Sequence, residues 1–187
     1  MVMVPPDLLE ERRRTGADRW DEMWDGVLHM VPAPSGPHQR FTTRLAAVLG
    51  PAAEGRGLTF SHGTELYRPG VGRPDHRIPD LAAYRREHAT ERGIEGRAEL
   101  VVEVRSPGDE TYDKFGFYAE MGVDEVLVVD PATCVAEMFV LEGASLVTGP
   151  LRCEVLGLTF ASAATPAGPV LRVTGADGAV TEVHGRP

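Results

Sequence analysis

Lysine is almost missing from this chain. Of 187 residues, Lys and Arg together supply 19, and Lys114 is the one lysine among them. Cysteine is nearly as scarce: Cys134 and Cys153 stand far apart with no CxxC pair. That excludes a dithiol redox motif, and two isolated thiols are expected to stay reduced in a cytoplasmic setting. No apolar run approaches the ~20 residues needed to cross a bilayer, so no membrane partner is expected. The opening MVMVPPDLLEERRR lacks the order of basic, apolar and small residues that marks a secretory signal.

Positive charge is also short. Asp and Glu number 28 against 19 Lys and Arg, which gives a net charge of −9. A protein that coats nucleic acid by charge alone is thereby excluded. An enzyme acting on nucleic acid is not, because bound cations and a local arginine patch can offset the global sign. The six histidines, at 29, 38, 62, 76, 88 and 184, form no HExxH and no tight cluster with cysteine, so zinc is not expected. The glycines of RPGVGRP lack the following Lys-Ser/Thr and the helix of a phosphate-binding loop. Its Arg68, Arg73 and Arg77 are candidates for contacts to a nucleic-acid backbone, or simply soluble loop residues. GAS and SHG lack the nucleophile-elbow pattern, and Arg12, Arg13 and Arg14 read as a solvated helix face.

What is present is an alternation of helical and strand-like segments. Residues 7 to 25 have helical character, and Val27 to Val31 read as a short strand closed by PAPSGP. Pro37-His38 opens a helix with Phe41, Leu45, Val48 and Leu49 at helical spacing, and Gly50-Pro51 is expected to stop it. Strands follow at 58–67, 78–84 and 99–105. A helix is expected over 109–121 with Gly122 as its cap, then a strand at 124–129 and short C-terminal strands. The pattern predicts an α/β or α+β domain with a mixed sheet. The strand at 100–104, the helix and the strand at 126–129 form a β-α-β crossover.

Three residues carry the chemistry. In ELVVEVR, Leu100, Val102 and Val104 share one strand face, and Glu99, Val101, Glu103 and Arg105 share the other. Taken alone, that second face is a half-solvated one with a Glu103–Arg105 pair along it. Asp80 sits at a strand end in IPDLAAY, where Pro-Asp alone is only a turn signal. Lys114 lies in the helix after Glu103, and its local partners would be Asp109, Glu110 or Asp113. Together, two carboxylates on adjacent strands can share a hard divalent cation such as Mg²⁺. An ammonium beside it can orient water or support the charge on phosphorus. A guanidinium is a planar fork that stays protonated, so a lone lysine in an arginine-biased chain marks a place where arginine fails, unless codon drift left it there.

The run IPDLAAY…ELVVEVRSPGDETYDKFGFYAEMGVDEVLVVDP resembles the Uma-type family of putative restriction endonucleases, within the PD-(D/E)XK nuclease superfamily. Pro79-Asp80, Glu103-Val104, Ser106-Pro107, Lys114, Tyr118, Gly122-Val123 and Val129-Asp130-Pro131 carry the likeness. WDGVLHMVPAPSGPHQRFTTRL extends it toward the N-terminus. The resemblance implies a single restriction-endonuclease-like domain, a mixed β-sheet flanked by helices. Its nuclease core would span about residues 20–131, followed by a C-terminal strand extension over 132–187. It implies an endonuclease that hydrolyses DNA phosphodiester bonds with Mg²⁺ or Mn²⁺ held by Asp80 and Glu103. The Val104 carbonyl would add a ligand, Lys114 would act on water or transition state, and Tyr118 would steady it. His38 is a candidate phosphate contact. The superfamily's lysine usually falls two residues after the acid, where this chain has Arg105. No acid stands on the first core helix, so Glu65 is a candidate substitute. A homodimer is a further expectation, because such nucleases often cut two strands with two subunits. The rival reading is a nuclease fold kept as a binding or oligomerisation module, favoured by the acidic balance and by Arg105.

Overall fold

The computed structural model describes residues 5–70, 75–106 and 108–185. Arg73 and Pro107, named above, lie outside the described residues. Among the described residues three α-helices, α1 (Pro6–Thr15), α2 (Gly36–Gly55) and α3 (Phe115–Glu120), accompany three sheets.

The central sheet has six strands in the order β11-β10-β9-β8-β6-β3. They are β3 (Thr59–His62), β6 (Leu81–Tyr84), β8 (Leu100–Val104), β9 (Glu125–Val129), β10 (Ala136–Glu142) and β11 (Ser145–Thr148). The β8–β9 pair is parallel and is bridged by α3, while β6 runs antiparallel to β8. A five-stranded sheet, ordered β2-β1-β5-β4-β7, contains β1 (Glu22–Trp24), β2 (Val27–His29), β4 (Leu66–Tyr67), β5 (His76–Arg77) and β7 (Ile94–Glu95). The third sheet is a meander of β12 (Arg152–Cys153), β13 (Leu158–Thr165), β14 (Gly168–Thr174) and β15 (Val180–His184).

Both faces of the central sheet are covered, which is why LVVEV and EVLVV read as almost continuous apolar runs. On one face Leu81, Leu100, Val102, Val104, Leu127 and Val129 pack against Phe41, Leu45 and Leu49 of α2 and against Phe160, Leu171 and Val173 of the third sheet. On the other, Ala82, Val101, Val126 and Val128 pack against Phe117, Tyr118 and Met121 with Leu66 and Ile94. Each fully buried large side chain contributes about 1.5–3 kcal/mol of transfer free energy. The strand-face alternation read from ELVVEVR is therefore present, but its second face is buried, not solvated: Glu103 is 4% exposed.

Several segment boundaries differ from the sequence expectation. Residues 22–24 are strand, not helix. Asp25-Gly26 makes the tight connection to β2 with φ of 49° and 81°, the conformation that an Asp-Gly hairpin turn requires. Helix α2 passes through Pro51 to Gly55. The proline removes only the bond to the carbonyl of Ala47, an exposed residue, while Leu45, Leu49 and Ala53 continue one buried row. The expected strand at 58–67 is two strands in different sheets, divided at Gly63. The segment at 78–84 likewise begins as a strand only at Leu81. The expected helix at 109–121 is a 3-10 turn, Thr111–Lys114, followed by α3. Gly122 does close it, with φ 68°. Gly122 N–H donates to Ala119 and Val123 N–H to Tyr118, a Schellman ending. Both cysteines are free and buried.

Candidate active site

Asp80 lies one residue before β6. The antiparallel register sets Leu81 opposite Val102, and its continuation by one residue sets Asp80 opposite Glu103. On the β3 side Gly63 N–H donates to the Asp80 carbonyl at 3.0 Å, and on the β8 side the Asp80 side chain takes the Val104 N–H at 2.7 Å. Since Leu81 and Val102 face α2, Asp80 and Glu103 belong to the other face, as a shared two-carboxylate site requires.

Each carboxylate is fixed by several donors. Asp80 Oδ2 accepts from Val104 N–H at 2.7 Å and lies 3.3 Å from His38 Nε2. His38 is presented by the first turn of α2, whose Ser35 cap accepts from the His38 N–H. The same Nε2 reaches the Val104 carbonyl at 2.8 Å, which leaves Nδ1 buried without a partner. Glu103 Oε1 accepts from Lys114 Nζ at 3.2 Å and, closely, from the Tyr118 hydroxyl. Tyr118 stands one helical turn after Lys114 and is fully buried.

A third acid completes the group. Lys114 Nζ is 3.0 Å from Glu22 Oε1, on β1. Glu22 is itself held by Ile78 N–H at 2.8 Å and by Trp24 Nε1 at 2.9 Å. Reading 7–25 as helix hid this residue. The Asp25-Gly26 hairpin signal, taken with the alternation Glu-Met-Trp, would have brought it out.

The electrostatics follow from burial. Desolvation pushes the Glu103 carboxyl up to about 7; Lys114 opposes this, Asp80 and Glu22 add to it, and the Tyr118 hydrogen bond opposes it. Burial lowers the Lys114 pKa, but the charges of Glu103 and Glu22 outweigh that and raise it. Lys114 is thus held as an ammonium, a donor and a charge, not a proton acceptor. Burial raises Tyr118 well above its ordinary value, with Glu103 and Glu22 adding to the effect, so it serves as a neutral donor. Burial draws the His38 ring down, yet its bond to Asp80 and the Asp80 charge raise it overall.

The remaining candidates separate from this cluster. Glu65 is engaged by Arg92 and by His76, 3.2 Å away. Arg105 lies over the Tyr112 ring, 5.1 Å from its centroid. Arg77 is 5% exposed, donates to the Met23 carbonyl and to Asp75, and lies over Trp24 and Phe117. It supports the β1 side of the site and does not face a backbone ligand. Arg68 pairs with Asp75 and Glu120. Arg12 is not a free surface charge: it binds Asp21 and the Val31 carbonyl.

Asp80, Glu103 and the Val104 carbonyl are the oxygen donors near the end of β8 that could be offered to a cation, and the carbonyl is also engaged by His38 Nε2 at 2.8 Å. Among the described residues no group of three or more His, Cys, Asp or Glu side chains is placed to hold a metal ion by itself. A cation that keeps several of its waters fits such a partial set better than one that needs a full protein shell.

A family model, Uma2, described as putative restriction endonuclease, matches residues 9–161. No curated protein matches the chain. Among solved structures, a putative nuclease belonging to DUF820 from Anabaena variabilis superposes with a TM-score of 0.55 at 15% identity, over 79% of this chain and 82% of that one. At that identity the likeness speaks to the fold.

Proposed function

This chain belongs to the Uma2 family of putative restriction endonucleases, and on that premise we propose that it is a metal-dependent endonuclease hydrolysing DNA phosphodiester bonds at Asp80, Glu103 and Lys114. One observation carries the reading: a buried ammonium, clamped between Glu22 and Glu103, stands near a third carboxylate, Asp80. A solvated lysine would need none of this, and holding three acids together costs stability unless a cation compensates.

Asp80 and Glu103 would hold Mg²⁺ or Mn²⁺ with the Val104 carbonyl. The ion when bound would lower the pKa of water and offset charge on the phosphate. The chain's own groups prepare that chemistry. Val104 N–H and His38 fix the Asp80 carboxylate. Tyr118 and Lys114 fix Glu103, whose raised pKa makes its ionised form sensitive to an added positive charge. Glu22 keeps Lys114 charged and directed at the shared space, where it donates to the attacking water or to a phosphate oxygen as charge develops.

A second reading is supported by the same ammonium. Lys114 already neutralises part of the acidic cluster, and His38 already uses the Val104 carbonyl. A fold retained for binding or assembly would look like this too. Plasmid cleavage with Mg²⁺ or Mn²⁺ separates the two, comparing the unaltered protein with Asp80→Ala and Lys114→Ala. The nuclease reading expects cleavage that both substitutions abolish. Cleavage that persists in both sinks the assigned centre, and no cleavage by the unaltered protein favours the binding module.

A further inference from the structure

Beside the carboxylate cluster is a cleft of about 560 Å³ lined by Arg19, Trp20, Ala33, Pro34, Gln39 and Gly63. Three separate segments join it to the cluster. Trp20 is two residues before Glu22, Gln39 follows His38, and Gly63 N–H holds the Asp80 carbonyl at 3.0 Å. The Trp20 indole lies along Gly63 so closely that a Cβ there would sit 3.2 Å from the ring. The Arg19 guanidinium lies over the ring, 4.9 Å from its centroid. Arg19 and Gln39 are both exposed, and Trp20 is half-buried.

We propose that this cleft seats one unpaired nucleotide of the substrate strand next to the bond that is cut. The proposal rests on the nuclease reading above. Aromatic face, guanidinium and amide are the three group types that take a base plane, a phosphate and a base edge. The base lies on the indole face that Arg19 now covers. Arg19, an exposed side chain, moves to the phosphate and loses only a weak cation–π contact. Gln39 reaches the base edge. A base inside a duplex has both faces stacked on neighbours, so only an unpaired or extruded base can use the Trp20 face. A side chain at 63 would crowd the Trp20 ring, so glycine there keeps the indole close to the strand end whose N–H meets the Asp80 carbonyl.

The probe is a fluorescein-labelled single-stranded DNA 12-mer, read by anisotropy in an Asp80→Asn background so that it is not consumed. Trp20→Ala is expected to weaken binding roughly 5- to 100-fold, the range of one base–aromatic stack at 1.4 kcal/mol per decade. Trp20→Phe restores most of it. Arg19→Ala lowers the salt slope by about one, and the blunt duplex of the same sequence is affected less by Trp20→Ala than the single strand. The proposal is overturned if Trp20→Ala binds the 12-mer as tightly as the parent, if Trp20→Phe is as weak as Trp20→Ala, or if the parent does not bind the 12-mer. Plasmid cleavage is read separately. Cleavage persisting in Asp80→Ala removes the centre, whereas unchanged binding in Trp20→Ala removes the cleft alone.

Discussion

Replacing Glu103 by glutamine should make the protein less sensitive to alkaline pH. The Glu103 carboxyl moves from an ordinary value of 4.5 to about 7 in the fold, chiefly through burial. Between those values the native state keeps a proton that the unfolded chain has already lost. The stability from this group is therefore complete below about pH 4.5 and is lost as pH rises through about 7. The shift of 7 − 4.5 = 2.5, at about 1.36 kcal/mol per unit, amounts to about 3 kcal/mol. Glutamine mimics the protonated acid and cannot pay out that loss. Thermal melts in EDTA from pH 5 to 8 measure it. About 2.5 kcal/mol of that loss falls between pH 5 and 8, so the difference in Tm between Glu103→Gln and the parent should swing toward the variant by about 5–10 °C across that range, taking about 2–4 °C per kcal/mol for a chain of this size. Carboxyls outside the cluster titrate in both proteins and cancel. A constant offset in Tm at every pH would show that Glu103 ionises like a solvent-exposed acid, and the buried three-acid cluster would then be wrong.

Four further outcomes follow from the same group. At pH 8, Mg²⁺ or Mn²⁺ at 100 times its Kd should raise the parent's Tm by about 5–10 °C, from about 2.7 kcal/mol of linkage. Asp80→Asn and Glu103→Gln should lose this shift, and equal shifts in all three proteins would move the ion elsewhere. Lys114→Met leaves Glu22 and Glu103 buried without their cation, at a cost of about 3–5 kcal/mol at pH 8. The cost should shrink toward pH 5 as carboxyls take up protons. Lys114→Arg keeps the charge but should cut plasmid cleavage by at least about 100-fold, and an active arginine variant would refute the demand for a compact ammonium. Tyr118→Phe removes a hydrogen bond that favours ionised Glu103. It should cost about 1–3 kcal/mol and move the midpoint of the pH-dependent stability loss upward, whereas a downward move would contradict the hydrogen-bond direction.

The legible parts of the site were those governed by strand alternation. Glu103 could be assigned to the face opposite Val102 and Val104 from period two alone, and the β8-α3-β9 order was readable from apolar runs and Gly122. Register was not readable. That Asp80 stands opposite Glu103 depends on β6 and β8 being paired as Leu81 with Val102, and no local signal encodes a pairing across 22 residues. Glu22 was missed for a different reason. Its segment has charges and tryptophans at intervals compatible with a helix, and it becomes strand because Asp25-Gly26 folds it onto β2 and because β5 takes its other edge. Helix α2 overran its expected stop because tertiary packing of Ala53 and Leu49 outweighs one lost hydrogen bond at Pro51.

The position of the lysine follows from what β8 can offer. The strand ends at Val104, and Arg105, two residues after the acid, lies over Tyr112 instead of returning to Glu103. A cation for Glu103 must then come from another element, and the 3-10 turn Thr111–Lys114 supplies it. That turn is held from both sides. Asp109 accepts from the N–H groups of Ser106 and Thr111, and Glu110 meets His29 Nδ1 at 3.1 Å, tying the turn to the β1–β2 hairpin that carries Glu22. The space between the carboxylates of Glu22 and Glu103 is nearly dry, with side-chain exposures of 2% and 5%. A guanidinium placed there would bring five donors in a rigid plane, more than the two facing carboxylate oxygens can satisfy. An ammonium on a flexible stem brings three. The partners of Lys114 are accordingly Glu22 and Glu103, drawn from two different strands, and not Asp109, Glu110 or Asp113 beside it in sequence. Scarcity of lysine elsewhere and the geometry here point the same way: this is the position where arginine does not fit.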